Sequence, residues 1–249
     1  FKIMKDLFSK QSDQYAKFRP TYPAALFEYL NQLPIQKNMA WDCGTGNGQI
    51  AISLASSFKE VYATDISLNQ LNNAPECKNI YYSQQAAEKT NFEPNTFDLI
   101  TVAQAIHWFD FDKFYQEVFR TAKPNAMIAV IGYGVLNISP EIDQIIYDFY
   151  VHRIGEYWDE ERKFIDHQYQ TIPFPFEERI APKLNMCFDW TLDQFIGYLE
   201  TWSAVKHYKN SNGTNPLSII HNDLKKAWGL EQYRKVTFPL FLRVGQIHK

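Results

Sequence analysis

Residues 41–48 read Trp-Asp-Cys-Gly-Thr-Gly-Asn-Gly, and a second strand-like run, Glu60-Val-Tyr-Ala-Thr64, ends in the acid Asp65. Glycines at 44, 46 and 48 let the backbone turn with positive φ and approach a ligand that a Cβ would obstruct. An acid closing the second strand can accept hydrogen bonds from a ribose hydroxyl pair. Together they predict a site for an adenosine-containing cofactor. A dinucleotide fingerprint would read G-x-G-x-x-G, with the pyrophosphate on the amino end of the following helix. Here the last glycine comes one residue early and Gln49 takes its place. Asp42, just ahead of the loop, would repel a pyrophosphate in a partly desolvated site. It suits a positively charged ligand instead.

The elements that must position these residues alternate between helix and strand at the spacing of βαβ units. Helices are expected over 23–32, 49–57, from Ser67 to Asn73 with Ser67 as cap, and over 111–121. Strands are expected over 39–42, 61–64, 80–83, 97–103 and 126–131, the last continuously apolar as for a strand buried on both faces. This predicts an α/β, doubly wound sheet, in which ligands bind outside the carboxyl ends of the strands.

The residues following each strand are therefore the site candidates. After the first come Gly44, Gly46 and Gly48. After the second come Asp65 and Ile66, the latter placed against a purine face. After the third come Ala86, Ala87 and Glu88, where a small residue and backbone groups could receive the adenine edge. Gln104, His107 and Trp108 follow the fourth, and Gly132, Tyr133 and Gly134 the fifth. His107 could serve as a general base with a pKa near neutrality, or cap the strand end. Trp108, Tyr133 and Trp202 are candidates for an acceptor pocket. Arg19, preceded by Tyr15, could hold a carboxylate through a bidentate pair.

With these residues in place, 41–48 and Asp65 resemble motif I and the ribose acid of class I S-adenosylmethionine-dependent methyltransferases. The strings Tyr15–Pro23, Gln104–Asp110, Phe114–Arg120, Leu199–Val205, Asn215–Leu217 and Ala227–Gly229 resemble a small-molecule subgroup that includes trans-aconitate methyltransferase-like proteins. The resemblance implies S-adenosyl-L-methionine as cofactor, whose ammonium and sulfonium answer Asp42. It also implies a Rossmann-like seven-stranded sheet of order 3-2-1-4-5-7-6, with Val236–Ile247 holding the last strand of a closing hairpin. One domain over 1–249 is expected, divided into an amino-terminal lid (1–35), a cofactor-binding core (36–134), a helical cap after strand five (135–190), and carboxyl-terminal helices with the closing hairpin (191–249).

The remaining features prune the function. A chain of 249 residues with 45% hydrophobic residues can bury one substantial core. A formal net charge of −3, with no basic run beyond Lys225-Lys226, offers no footprint for nucleic acid and disfavours polyanions. Three cysteines leave an odd one over, and the charged start of the chain lacks a signal peptide's apolar core, so a cytoplasmic protein without a membrane partner is expected, as monomer or homodimer. No Asp/Asn-Pro-Pro-Tyr string follows strand four, no Pro-Cys dipeptide offers a thiolate, and no metal-ligand pattern stands out. A small organic acceptor remains, with carboxylate O-methylation a candidate reaction. A non-catalytic cofactor-binding protein and a nicotinamide oxidoreductase are the alternatives.

Overall fold

The computed structural model describes residues 20–249, so Tyr15 and Arg19 lie outside the described residues. Five strands run parallel: β1 (Met39–Cys43), β2 (Glu60–Asp65), β3 (Ile80–Gln84), β4 (Phe97–Ala103) and β5 (Ala122–Tyr133). Then β8 (Arg234–Gln246) lies antiparallel to β5, and β6 (Glu177–Arg179) and β7 (Leu184–Trp190) both pair antiparallel with β8. The order is β3-β2-β1-β4-β5-β8-β6, with β7 beside β8. Arg179 opposes Val244 and Leu184 opposes Leu240, so β6 and β7 continue along one edge of β8 with one extra residue between them. Taken as a single interrupted strand, they make the order 3-2-1-4-5-7-6.

Alternation of side chains explains why the sheet has helices on both faces. On β5, Met127, Ala129 and Ile131 join one core, while Ile128 and Val130 join the other. The first core receives α1 (Ala24–Asn31) and α2 (Gln49–Leu54) through Leu26, Leu30, Ile50 and Leu54. The second is aromatic: Trp41 packs with Phe92, Phe97 and Phe114, and its Nε1 donates to Thr64 Oγ1 at 2.9 Å. Caps fix the helix starts. Ser67 accepts from Gln70 N ahead of α3 (Leu68–Asn72), and Asp110 accepts from Lys113 N ahead of α4 (Phe111–Thr121).

The insertion after β5 differs from the expectation in its second half. It begins helical, with α5 (Pro140–Asp148), a π-turn over Phe149–Arg153 and a short α6 (Arg162–Asp166), but 177–190 forms the edge of the sheet. In β7 the even positions Leu184, Met186, Phe188 and Trp190 turn inward and Asn185, Cys187 and Asp189 outward, a period-two signal of a half-buried strand. Nor is the closing element a tight hairpin. Three helices, α7 (Leu192–Glu200), α8 (Ser203–Asn212) and α9 (Leu217–Trp228), separate β7 from β8.

Candidate active site

A cavity of about 1080 Å³ opens at the carboxyl ends of the parallel strands. Asp42, Gly44, Gly46, Asp65, Ile66, Ala87 and Glu88 line one part of it, and Gln104, His107, Trp108 and Tyr133 another. Trp202 does not reach it. That residue precedes α8, is 5% exposed, and packs among Phe149, Tyr150, Trp158 and Tyr198, so its role is in the core rather than at an acceptor pocket.

The glycine loop is held by its neighbours. Thr45 N donates to Thr64 O at 2.9 Å and Gly46 N to Asp65 Oδ2 at 2.8 Å. Gly44 has φ +68°, and a Cβ there would sit 2.6 Å from Ala105 Cβ. At Gly46, φ is +58° and an added Cβ would meet nothing within 4 Å, which leaves room for a ligand against the backbone. Asp65 Oδ1 also accepts from Ser67 N at 2.8 Å. This carboxylate therefore ties the loop to the start of α3.

Asp42 is buried opposite Thr101 in the β1–β4 register. Its Oδ1 accepts from Thr101 Oγ1 at 2.8 Å and its Oδ2 from Thr45 Oγ1. Burial pushes its carboxyl up to about 6, against the pull of the two threonine hydroxyls. Among the described residues no basic side chain pairs with it. A cation bound in the cavity would offset that cost, so this donor set fits a sulfonium- and ammonium-bearing cofactor.

Gln104 adopts φ 55°, and its amide bridges to β5: Nε2 donates to Tyr133 O and Oε1 accepts from Tyr133 N, both at 3.1 Å. Its side chain joins the ends of β4 and β5, so the amide is already engaged where a cofactor contact was expected. Glu88 Oε1 accepts from Asp110 N at 3.0 Å and links the loop after β3 to the start of α4.

His107 sits on a single 3₁₀ turn, Ile106–Trp108, and is 5% exposed. Its Nδ1 lies 2.8 Å from the hydroxyl of Tyr169, and the Trp108 ring lies beside it at 4.9 Å. Tyr169 has no signature in the sequence, because the contact spans 62 positions and depends on a loop conformation. From the cap, Glu160, Glu161, Lys163 and Phe164 reach the cavity, whereas Ile142 and Ile146 of α5 are buried in the core. Lys113, also at the cavity, is paired with Asp110 at 2.6 Å. No cluster of metal-ligating side chains occurs among the described residues.

A methyltransferase-domain family model matches residues 41–130, from β1 through most of β5. A Dictyostelium discoideum protein provisionally described as a methyltransferase is 33% identical over 95% of this chain and 93% of its own length. A solved structure described in the same provisional way as a type II methyltransferase, from Anaeromyxobacter dehalogenans, is 39% identical, covers 93% of this chain and 99% of that one, and superposes with a TM-score of 0.86. A ubiquinone/menaquinone biosynthesis C-methyltransferase of Rickettsia prowazekii is 27% identical over 58% of this chain and 71% of its own length. The chain belongs to the class I S-adenosylmethionine-dependent methyltransferases. It is an enzyme of that family, and its cofactor is S-adenosyl-L-methionine.

Proposed function

We propose that this methyltransferase acts on a small organic acceptor held over His107 and Trp108. The observation that carries the reading is the sharing of one cavity by the Asp42–Gly46–Asp65 constellation and His107. Bound cofactor supplies an electrophilic methyl group on a sulfonium. In this reading Asp65 takes the ribose hydroxyls, Ile66 the purine face, Ala87 and Glu88 the adenine edge, and Asp42 faces the positive charge. Tyr15 and Arg19 are assigned to the carboxylate end on sequence grounds alone. The protein's remaining task is to align the acceptor in line with the methyl group and exclude water, which the half-buried aromatic wall suits. His107 acts as general base where the acceptor carries a proton.

Carboxylate O-methylation, as in the trans-aconitate methyltransferase-like subgroup, is the second reading. Lys163 favours it: this lysine lines the cavity, lies 5.4 Å from the Phe164 ring centroid, and has no ion pair among the described residues. A carboxylate would need no base. Cytoplasmic residence is proposed from the odd cysteine count, with Cys43, Cys77 and Cys187 all free. No helix among the described residues is long and apolar enough to cross a membrane. The proposed enzyme works as monomer or homodimer. The deciding assay incubates the protein with a small-molecule extract and isotopically labelled methyl donor, read by mass spectrometry. Labelled products support an enzyme with a small acceptor, whereas donor binding without any transfer would support the non-catalytic alternative.

A further inference from the structure

Nearly the same four residues open α3 and α7: Ser67-Leu-Asn-Gln70 and Thr191-Leu-Asp-Gln194. Each string can make a capping box, in which the Ser or Thr side chain takes the backbone N–H three residues on and the Gln side chain reaches back to the N–H of the cap. Ahead of α7 the box closes. Thr191 Oγ1 accepts from Gln194 N at 3.2 Å, and Gln194 Oε1 accepts from Thr191 N at 2.9 Å. Ahead of α3 only the first half forms, with Ser67 Oγ accepting from Gln70 N at 3.3 Å. The Ser67 N–H that Gln70 would take donates instead to Asp65 Oδ1 at 2.8 Å. Asp65 therefore displaces the Gln70 side chain from the cap.

Gln70 is only 5% exposed and lines the cavity with Asp65 and Ile66, yet its side-chain amide makes no hydrogen bond among the described residues. Burying an amide without a partner costs stability, so native proteins pair such groups as a rule. Methionine would fill the same space without that cost. We infer that Gln70 is a cofactor-binding residue, whose amide completes the ribose site that Asp65 begins. The inference rests on the ribose reading of Asp65 given above and adds a partner of different chemistry to it. A ribose presents two adjacent hydroxyls, and each can both donate and accept. An ionised carboxylate only accepts, so it answers the hydroxyl protons and leaves the hydroxyl oxygens without a donor. A glutamine amide carries both an N–H donor and a carbonyl acceptor. Either end meets a hydroxyl, so the contact holds whichever way the amide is turned. Ser67 sets the spacing of the two groups, because its N–H holds Asp65 and its Oγ holds the backbone of Gln70.

Calorimetry with two ligands, S-adenosylhomocysteine and its 2′,3′-dideoxy analogue, isolates the hydroxyl contact. Gln70→Met is expected to bind S-adenosylhomocysteine about tenfold more weakly than wild type, and the dideoxy analogue as well as wild type does. Melting of the cofactor-free protein separates this role from a structural one. Gln70→Met should melt no lower than wild type, whereas Gln194→Met, which opens a closed box, should melt about 2–4 °C lower. Unchanged binding of S-adenosylhomocysteine by Gln70→Met would overturn the inference, as would an equal loss on both ligands or a melting temperature lowered as in Gln194→Met. Asp65→Ala in the same series reports on the reading beneath it. A hydroxyl-dependent loss in Asp65→Ala alone keeps the ribose reading and overturns the role of Gln70, while equal binding of the two ligands by wild type defeats the ribose reading itself.

Discussion

At the level of single residues, the two acids do different work. Asp65 combines the ribose role proposed here with two backbone bonds that shape the loop. Asp65→Ala should weaken donor binding by about 1.5–3 kcal/mol, the range for charged hydrogen bonds, and lower thermal stability as well. An affinity unchanged by calorimetry would refute the ribose assignment. Asp42 makes the opposite trade. Because burial raises its carboxyl to about 6, it holds a proton more tightly folded than unfolded, so stability of the cofactor-free protein declines as pH rises from about 4 to 6. A bound cation reverses the preference. Donor affinity should fall about tenfold between pH 7.5 and pH 5, and that dependence should disappear in Asp42→Asn. The same variant should melt several degrees higher than wild type when cofactor-free at pH 7.5, because it removes the unpaired buried charge. The placement of both acids near strand ends, beside the cavity, was legible in the sequence because strand boundaries follow from local pattern. Trp202 was misread because a tryptophan in a family-like string carries no mark of which face it occupies.

Elements were legible where one rule governed them. The helix at 111–121 matches its expected span because Asp110 caps it and Phe114, Tyr115 and Val118 bury one face. The family-like string Phe114–Arg120 proves to be scaffold: Glu117, nearly buried, accepts from Thr90 N at 2.8 Å and from Arg120 Nε at 2.9 Å. The loop from β1 to α2 was equally legible, since only glycine fits Gly44. Gly44→Ala should cost about 1–3 kcal/mol through its positive φ and its clash with Ala105, seen as a lower denaturation midpoint with unchanged slope. The left-handed pair at Gln168-Tyr169, with φ of 51° and 59°, was not legible. Nothing in those two side chains asks for the conformation, which is imposed from β5 and β8 by Gly132, Phe241 and Arg243.

For the whole molecule, a cavity at the strand ends means that cofactor binding should be read as stability. Donor at a hundredfold excess over its dissociation constant adds about 2.7 kcal/mol, which in a chain of this size raises the melting temperature by roughly 5–10 °C. Nicotinamide dinucleotides should leave it unmoved, and a comparable shift would revive the oxidoreductase alternative. The sheet order followed from the family resemblance and the βαβ rhythm of the first 135 residues. The edge strand was hidden in a segment whose length suggested a cap, and its pairing partner lies beyond three intervening helices.

The extra residue between β6 and β7 has a consequence for how this chain tolerates change. Facing side chains in a strand repeat every second position, so an inserted residue exchanges the two faces. Glu178 in β6 therefore turns to the side of Arg243, while the even-numbered Met186 and Trp190 of β7 turn to the opposite core. Within residues 180–183 identity is loosely constrained, Ile180 being almost fully exposed. Length is not. Substituting Ile180 with a polar residue should be nearly silent, whereas deleting Pro182 should remove the extra residue and turn Met186 and Trp190 of β7 away from their core, measurable as a lower melting temperature.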